Sequence, residues 1–127
     1  MDKTYDILLV DDDEFLLDIY SRKFKQAGHA VHSAHGGEEA LEYLAGNPKV
    51  DIVLMDIVMP SMSGLELLQA IRDKGYAKGA KLIVLSNQGQ ESDIKEAENH
   101  KVDGYIVKAS TIPSEVLEKV VAIASQV

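Results

Sequence analysis

The sequence predicts one α/β domain, built on a doubly wound, five-stranded parallel sheet with five helices. Short continuous apolar runs recur along the chain, and segments with a helical spacing of apolar residues separate them. Continuous apolar runs are typical of strands buried on both faces, and their alternation with helices implies right-handed crossovers with helices on both sides of the sheet. The 127 residues, 46% of them hydrophobic, suffice for one domain with its own core.

Five segments are predicted to form the strands. The four that are apolar throughout lie at residues 7–10, 52–55, 82–85 and 105–107. Residues 30–34 mix polar with apolar side chains, which indicates an edge strand with one solvated face.

Five segments carry apolar residues at three- and four-residue steps, the spacing of one helix face. They lie around residues 16–27, 40–45, 65–71, 94–97 and 117–124. Gly28 and Gly75 provide C-terminal stops for the first and third helices, and Pro113 suits the first turn of the fifth. The fourth helix has only Ile94 and Ala97 on its stripe, so we expect it to be the least firmly packed.

The composition excludes several classes of partner and of metal site. The net charge is −8, so the chain has no electrostatic footprint for nucleic acid, and basic partners or a cation are favoured instead. The absence of cysteine excludes disulfides and thiolate metal sites. No apolar run reaches the roughly 20 residues that span a membrane, and the first residues lack the pattern of a signal peptide. These features predict a cytoplasmic protein.

Polar side chains follow the four strong strands at the point where each ends. Asp11, Asp56, Ser86 and Lys108 each come directly after an apolar run. Because ligands of open α/β sheets bind at the carboxyl ends of the strands, these groups are expected to converge. Taken alone, the acidic residues 11–13 would equally suit the start of a helix, and it is their combination with the other strand ends that favours a site.

Three carboxylates at this edge would repel one another unless a cation lies among them. Asp11, Asp12 and Asp56 supply oxygen ligands of the kind that Mg²⁺ prefers while it keeps waters for a phosphate to replace. Lys108 can neutralise a phosphoryl oxygen, and Ser86 can donate a hydrogen bond to another. A carboxylate can serve as the nucleophile, so the pattern predicts phosphoryl transfer to Asp56.

These motifs resemble the receiver domain of two-component response regulators over essentially the whole chain. They are LLVDDD at 8–13, LMDIVMPSMSG at 54–64, VLS at 84–86 and GYIVK at 104–108. The second is the most specific, because an aspartate, a Met-Pro pair and a glycine recur at the family's spacing. The resemblance implies a flavodoxin-like fold with strand order 2-1-3-4-5, and a stand-alone, chemotaxis-regulator-like receiver over residues 1–127 with no output domain.

The resemblance also implies roles for single residues. Asp56 is the expected phosphoacceptor, supplied by the phosphohistidine of a sensor histidine kinase or phosphotransfer protein. Asp11 and Asp12 are the expected Mg²⁺ ligands, together with Asp56 and the backbone carbonyl of Val58. Asp13 lies beyond the acidic pair and is expected to cap a helix.

Further positions of the resemblance concern switching. Ser86 and Lys108 are expected to contact the phosphoryl group. Ser86 and Tyr105 are expected to switch, so that a downstream protein binds the face of the fourth helix, fifth strand and fifth helix. The expected rim of the pocket consists of Ile57, Asn87 and Ala109. The protein would catalyse its own phosphorylation and slow dephosphorylation, without turning over a separate substrate and without binding nucleic acid or membrane.

Two positions depart from the family's pattern. Ala109 follows Lys108 where the family usually has a proline in a cis peptide, so we expect a trans bond here. Asn87 follows the switch hydroxyl where the family usually has a small residue.

Two alternatives stay open. A degenerate receiver that binds partners without phosphate is favoured mildly by Ala109. A haloacid-dehalogenase-like phosphohydrolase is suggested by Asp11 and Asp13, although Phe15 and the short chain do not suit it. His29, His32 and His35 lack a fourth ligand at a recognisable spacing, and we expect them to be solvated residues around the edge strand.

Overall fold

The computed structural model describes residues 3–47, 49–87, 91–108 and 111–126, with the backbone alone described at 91–93. The five strands are β1 (Asp6–Val10), β2 (Ala30–Ala34), β3 (Ile52–Met55), β4 (Lys81–Ser86) and β5 (Gly104–Val107). The five helices are α1 (Glu14–Gln26), α2 (Gly37–Gly46), α3 (Gly64–Lys74), α4 (Glu91–Asn99) and α5 (Pro113–Ala124). Ala109, and with it the Lys108–Ala109 peptide bond, lies outside the described residues.

All strands are parallel, in the order β2-β1-β3-β4-β5. This confirms both the predicted fold class and the edge position of β2. Helix α1 begins before its apolar stripe, at the exposed residues Glu14 and Phe15, whereas α3 begins at the buried Gly64 directly before its stripe. Among the described helices, none is long and apolar enough to cross a membrane.

The sheet separates two cores. Successive strand residues point to opposite faces, so in β1 Leu8 and Val10 pack on one side while Ile7 and Leu9 pack on the other. The first core includes side chains of α2, α3 and α4, and the second includes side chains of α1 and α5. Ala97 is the one buried side chain among those described in α4, in keeping with the sparse stripe of that helix.

Local chemistry fixes the helix ends next to the strands' carboxyl ends. The Asp13 carboxylate accepts hydrogen bonds from the backbone N–H groups of Phe15 and Leu16 at the start of α1. A reciprocal capping box between Ser63 and Glu66 begins α3. These caps place the first turns of both helices beside the strand ends that carry the polar residues.

The prediction of solvated histidines is wrong for His29. Its side chain is buried, stacks on the ring of Tyr5, and accepts a hydrogen bond through Nδ1 from the Tyr5 backbone N–H at 3.0 Å. The residue precedes β2, so the two-residue alternation of a strand does not govern its direction. His32 packs against the ring of Tyr43, and His35 lies exposed beside Glu39.

Candidate functional site

Four neighbouring strands bring the predicted site residues to one edge of the sheet. Asp11, Asp56 and Lys108 directly follow β1, β3 and β5, and Ser86 ends β4. The three charged residues are in mutual contact there, and Asp12 joins them from the loop that leads into α1. The structure thus brings together side chains that are up to 97 residues apart in sequence.

Lys108 lies between two carboxylates. Its Nζ is 2.6 Å from Asp11 Oδ2 and 3.2 Å from Asp56 Oδ2, and its side chain is 7% exposed. The other oxygens of the pair are held by the backbone: Asp11 Oδ1 accepts from Asp13 N–H at 3.0 Å, and Asp56 Oδ1 accepts from Val58 N–H at 3.4 Å. Both carboxylates therefore have a fixed orientation.

Burial controls the protonation of this pair. Burial raises the pKa of Asp56, the charge of Asp11 adds to this rise, and the Lys108 ammonium opposes it. Burial also disfavours the charged form of Lys108, but the hydrogen bond to Asp11 and the charges of both carboxylates more than offset it, so the pKa of Lys108 is raised. The ammonium is thus the group that makes two buried carboxylates tolerable.

Oxygen atoms of Asp11, Asp12 and Asp56 lie within 4.8 Å of one another. Asp12 is exposed, whereas Asp11 and Asp56 are buried, so the cluster opens to solvent on one side. Carboxylate oxygens with access to water are the donor set that suits Mg²⁺, and a soft metal would find no thiolate ligand because the chain has no cysteine. The residues present therefore fit a hard divalent cation.

Gly64 allows the start of α3 to pack closely against the segment that carries Asp56. A Cβ atom at this position would overlap the backbone carbonyl of Asp56. The Gly64 N–H donates to the carbonyl of Ile57 at 2.8 Å, which closes the loop between β3 and α3. Close packing therefore requires a glycine at position 64, the last residue of the motif at 54–64.

Of the predicted rim and switch residues, Ser86 and Asn87 lie beside Asp56, and Ala109 lies outside the described residues. Asp56, Val58, Ser86 and Asn87 line an open cavity of about 320 Å³ beside the carboxylates. Ser86 is buried, while Val58 and Asn87 are exposed. Ile57 and Tyr105 are half-buried and pack against the core on the side of α2, α3 and α4.

Sequence reasoning missed one residue next to the site. The apolar stripe predicted over residues 16–27 includes Tyr20 of α1, which is buried as expected but also borders the same small cavity as Asp11 and Asp56. A tyrosine, rather than a leucine or valine, on the buried face of a helix that follows the acidic residues is the signal that could have found it.

Comparison with known proteins agrees with this geometry. Residues 7–121 match the response regulator receiver domain family. The chain is 37% identical over 109 residues to the chemotaxis protein CheY of Halobacterium salinarum, covering 85% of this chain and 88% of that protein. It is 32% identical over 126 residues to the transcriptional regulatory protein ResD of Bacillus subtilis, covering 97% of this chain and 50% of that protein.

A solved structure shows the same arrangement. The CheY-like response regulator receiver domain protein from Methanospirillum hungatei superimposes with a TM-score of 0.84 at 29% identity, covering 96% of this chain and 94% of that one. The strand order, the polar strand ends and the family match over residues 7–121 therefore agree. The chain belongs to the response regulator receiver domains, the phosphorylation-activated signalling modules of two-component systems.

Proposed function

We propose that the protein accepts a phosphoryl group on Asp56 from the phosphohistidine of a sensor histidine kinase or phosphotransfer protein, with Mg²⁺ held by Asp11, Asp12, Asp56 and the carbonyl of Val58. The observation that carries the proposal is the cluster of three carboxylates with the Lys108 ammonium 3.2 Å from Asp56. It combines a nucleophile, a cation site and a positive group for the incoming phosphoryl oxygens.

The transfer forms one bond and breaks another. A carboxylate oxygen of Asp56 attacks phosphorus, the P–N bond of the phosphohistidine breaks, and the imidazole leaves with the electron pair and takes up a proton. Bound Mg²⁺ would neutralise negative charge on the phosphoryl oxygens. The backbone N–H of Val58 orients the acceptor carboxylate. The Lys108 ammonium moves its contact from a carboxylate oxygen of Asp56 to a phosphoryl oxygen.

The proposed output is binding of a downstream protein to the face formed by α4, β5 and α5. Strand pairing supports a path to this face, because Ser86 of β4 pairs with Val107 and Val84 pairs with Tyr105. A change at the Ser86 hydroxyl is therefore one strand away from the Tyr105 ring. The net charge of −8 favours a protein partner over nucleic acid or a membrane surface.

The placement of Asp13 argues against the phosphohydrolase alternative. Such an enzyme needs the carboxylates of both Asp11 and Asp13 in its pocket. Here one oxygen of Asp13 accepts both the Phe15 and the Leu16 N–H, at 3.0 and 3.2 Å, as the cap of α1. The close contacts among Asp11, Asp56 and Lys108 likewise argue against a degenerate receiver.

Incubation with acetyl phosphate and Mg²⁺, followed by intact-mass measurement, tests the proposal. We expect a gain of one phosphoryl group in the parent, none after chelation, and none in Asp56→Asn, because an amide is a poor nucleophile. Asp51→Asn is the matched control, since this exposed aspartate lies at the opposite edge of the sheet and should leave the adduct intact. An adduct of equal rate in Asp56→Asn would assign the acceptor elsewhere and reject the proposal.

A further inference from the structure

Arg72 in the last turn of α3 is hydrogen-bonded to the turn that follows α4. Its Nη1 donates to the backbone carbonyl of His100, and its Nη2 donates to the carbonyl of Lys101 at 2.7 Å. A guanidinium presents its N–H groups as a rigid fork, so it binds two acceptors together only when they point towards the same place. Arg72 therefore links α3 to one particular geometry of the turn after α4.

This turn contains a left-handed residue that is not a glycine. Lys101 has a φ of 59°, a conformation that costs free energy for a residue with a side chain and that glycine commonly supplies at a helix end. The Val102 N–H donates to the carbonyl of Ala97 at 3.4 Å and closes the helix. The carbonyls of His100 and Lys101 are not the acceptors in this closure, and Arg72 provides their donors. The guanidinium thus stabilises a turn that its own sequence disfavours.

The helix that ends at this turn is weakly packed. Ala97 is the one buried side chain among those described in α4, whereas α3 buries a stripe of leucine and isoleucine side chains. The first turn of α4 follows shortly after Ser86, at the edge of the sheet that carries the site. The turn after α4 leads to Asp103, which accepts from the Leu82 N–H near the start of β4. One end of α4 therefore lies near the site, and Arg72 holds the other end at the opposite edge.

We propose that Arg72 is a positioning residue that fixes the C-terminal end of α4, so that phosphorylation of Asp56 moves this helix about its fixed end. The inference rests on the proposed function, in which α4 forms part of the face that a downstream protein binds. A weakly packed helix that is held at one end pivots instead of detaching. The displacement is then largest at the end beside the site, and the junction of α4 with β5 stays constant for the partner.

Hydrogen–deuterium exchange of the α4 backbone amides tests the role of the guanidinium. In Arg72→Ala we expect exchange about tenfold faster than in the parent, because hydrogen bonds from a charged donor to the turn are lost. Lys74→Ala is the matched control, since it removes the same charge from the same turn of α3 and should leave α4 unchanged. Adding Lys101→Gly to Arg72→Ala should return exchange to within about threefold of the parent, because glycine readily adopts the left-handed turn.

The same measurement with Mg²⁺ and beryllofluoride, a phosphoryl mimic, tests the pivot. In the parent, we expect the change in exchange to be confined to the first half of α4, with the amides of residues 98–102 unchanged. In Arg72→Ala the change should extend to residues 98–102, because the far end of the helix is no longer held. A purely structural role of Arg72 would not produce this dependence on the phosphoryl mimic.

Three outcomes would overturn the inference and leave the proposed function intact. Equal exchange of α4 in Arg72→Ala and the parent would show that the guanidinium does not hold the turn. Faster exchange that Lys101→Gly fails to reverse would make Arg72 a general charge at a helix end. A response to beryllofluoride that covers residues 98–102 equally in both proteins would remove the pivot. A parent that shows no response to Mg²⁺ and beryllofluoride, even in the loop after Asp56, would instead reject the proposed function and the pivot with it.

Discussion

At the carboxyl edge of the sheet, where the strands end, the Lys108 ammonium lies between two buried carboxylates. At the amino edge, where the strands begin, side chains accept hydrogen bonds from the backbone. Asp51 accepts from Asp6 N–H at 2.8 Å, and Asp103 accepts from Leu82 N–H at 2.7 Å. Each of these two carboxylates thus accepts from one backbone donor in a fixed position. At the carboxyl edge two carboxylates share one ammonium, and under the proposed function a metal ion and a phosphoryl group would change this pairing.

The difference shows where this fold carries function and where it carries stability. Buried charges are costly even when they are paired, and they persist where an exchange of partners is useful. An aspartate that accepts a hydrogen bond from the backbone at the start of a strand cannot exchange its partner in this way. We therefore expect substitutions of such aspartates at the amino edge to act on stability alone, and those at the carboxyl edge to depend on Mg²⁺ and phosphorylation.

The largest effect is expected at Gly64, which couples packing to the site. In Gly64→Ala the new methyl group would overlap the Asp56 carbonyl, so we expect a loss of about 2–3 kcal/mol in the free energy of unfolding, together with slower phosphorylation. Urea unfolding and the acetyl phosphate assay measure the two effects. Gly46→Ala is the control, because no heavy atom lies within 4 Å of its Cβ and alanine favours the helix. Equal stability of the two variants would contradict the steric argument.

The stabilities of Asp12→Ala and Asp51→Ala, measured with and without Mg²⁺, compare the two edges directly. Without metal, Asp12→Ala should be as stable as the parent or more stable by up to about 1 kcal/mol, because an exposed member of a repelling cluster is removed. With Mg²⁺ the order should reverse, since an ion at one hundred times its Kd stabilises a protein by about 2.7 kcal/mol and the variant binds it less tightly.

Asp51→Ala should behave differently under the same conditions. It loses the acceptor for Asp6 N–H, so we expect a cost of about 1 kcal/mol that is the same with chelator and with Mg²⁺. Thermal melts of both variants and the parent in the two buffers provide the measurement. A parent melt that millimolar Mg²⁺ leaves unmoved would contradict the cation site, and a Mg²⁺-dependent cost in Asp51→Ala would contradict the separation of the edges.

The fold and the convergence of the site could be predicted because both depend on order along the chain. Four apolar runs, each followed by a polar residue, place Asp11, Asp56, Ser86 and Lys108 at one edge whatever their side chains do. Side-chain pairing could not be read in this way. The shorter contact of Lys108 with Asp11 than with Asp56 depends on atomic distances across two strands.

Apolar periodicity also treats a residue by its type alone. It counted Tyr20 as core, which is correct for the ring but says nothing about the charges near its hydroxyl. The sequence pattern predicts a solvated His29, and this is wrong because the residue has a backbone donor, Tyr5, that no pattern reveals. Tyr5 lies 24 residues earlier, in a segment without a recognisable pattern. Polar atoms whose partners are distant in sequence are therefore the part of this structure that pattern analysis misses.

The smallest expected effect is the response of the amino edge to acid. Burial lowers the pKa of His29 below its ordinary value of 6.5, and its Nδ1 must be unprotonated to accept the Tyr5 N–H. The unfolded chain therefore takes up this proton at a higher pH than the folded protein. Stability from His29 should be complete above about pH 6.5 and decline below it, until the folded protein is protonated as well.

The carboxyl edge should respond to acid in the opposite direction in the absence of metal. The pKa of Asp56 is raised, so the folded protein takes up that proton first and gains stability as the pH falls towards the ordinary value of 3.8. His29→Asn separates the two contributions, because an amide oxygen can accept the Tyr5 N–H without titrating. Urea unfolding of both proteins between pH 8 and pH 5 should show a difference in stability that narrows or reverses on acidification, since only the parent loses the His29 contribution. A constant difference across this range would show that His29 takes up its proton at the same pH in the folded and unfolded states, and would limit the contrast between the edges to metal and phosphate.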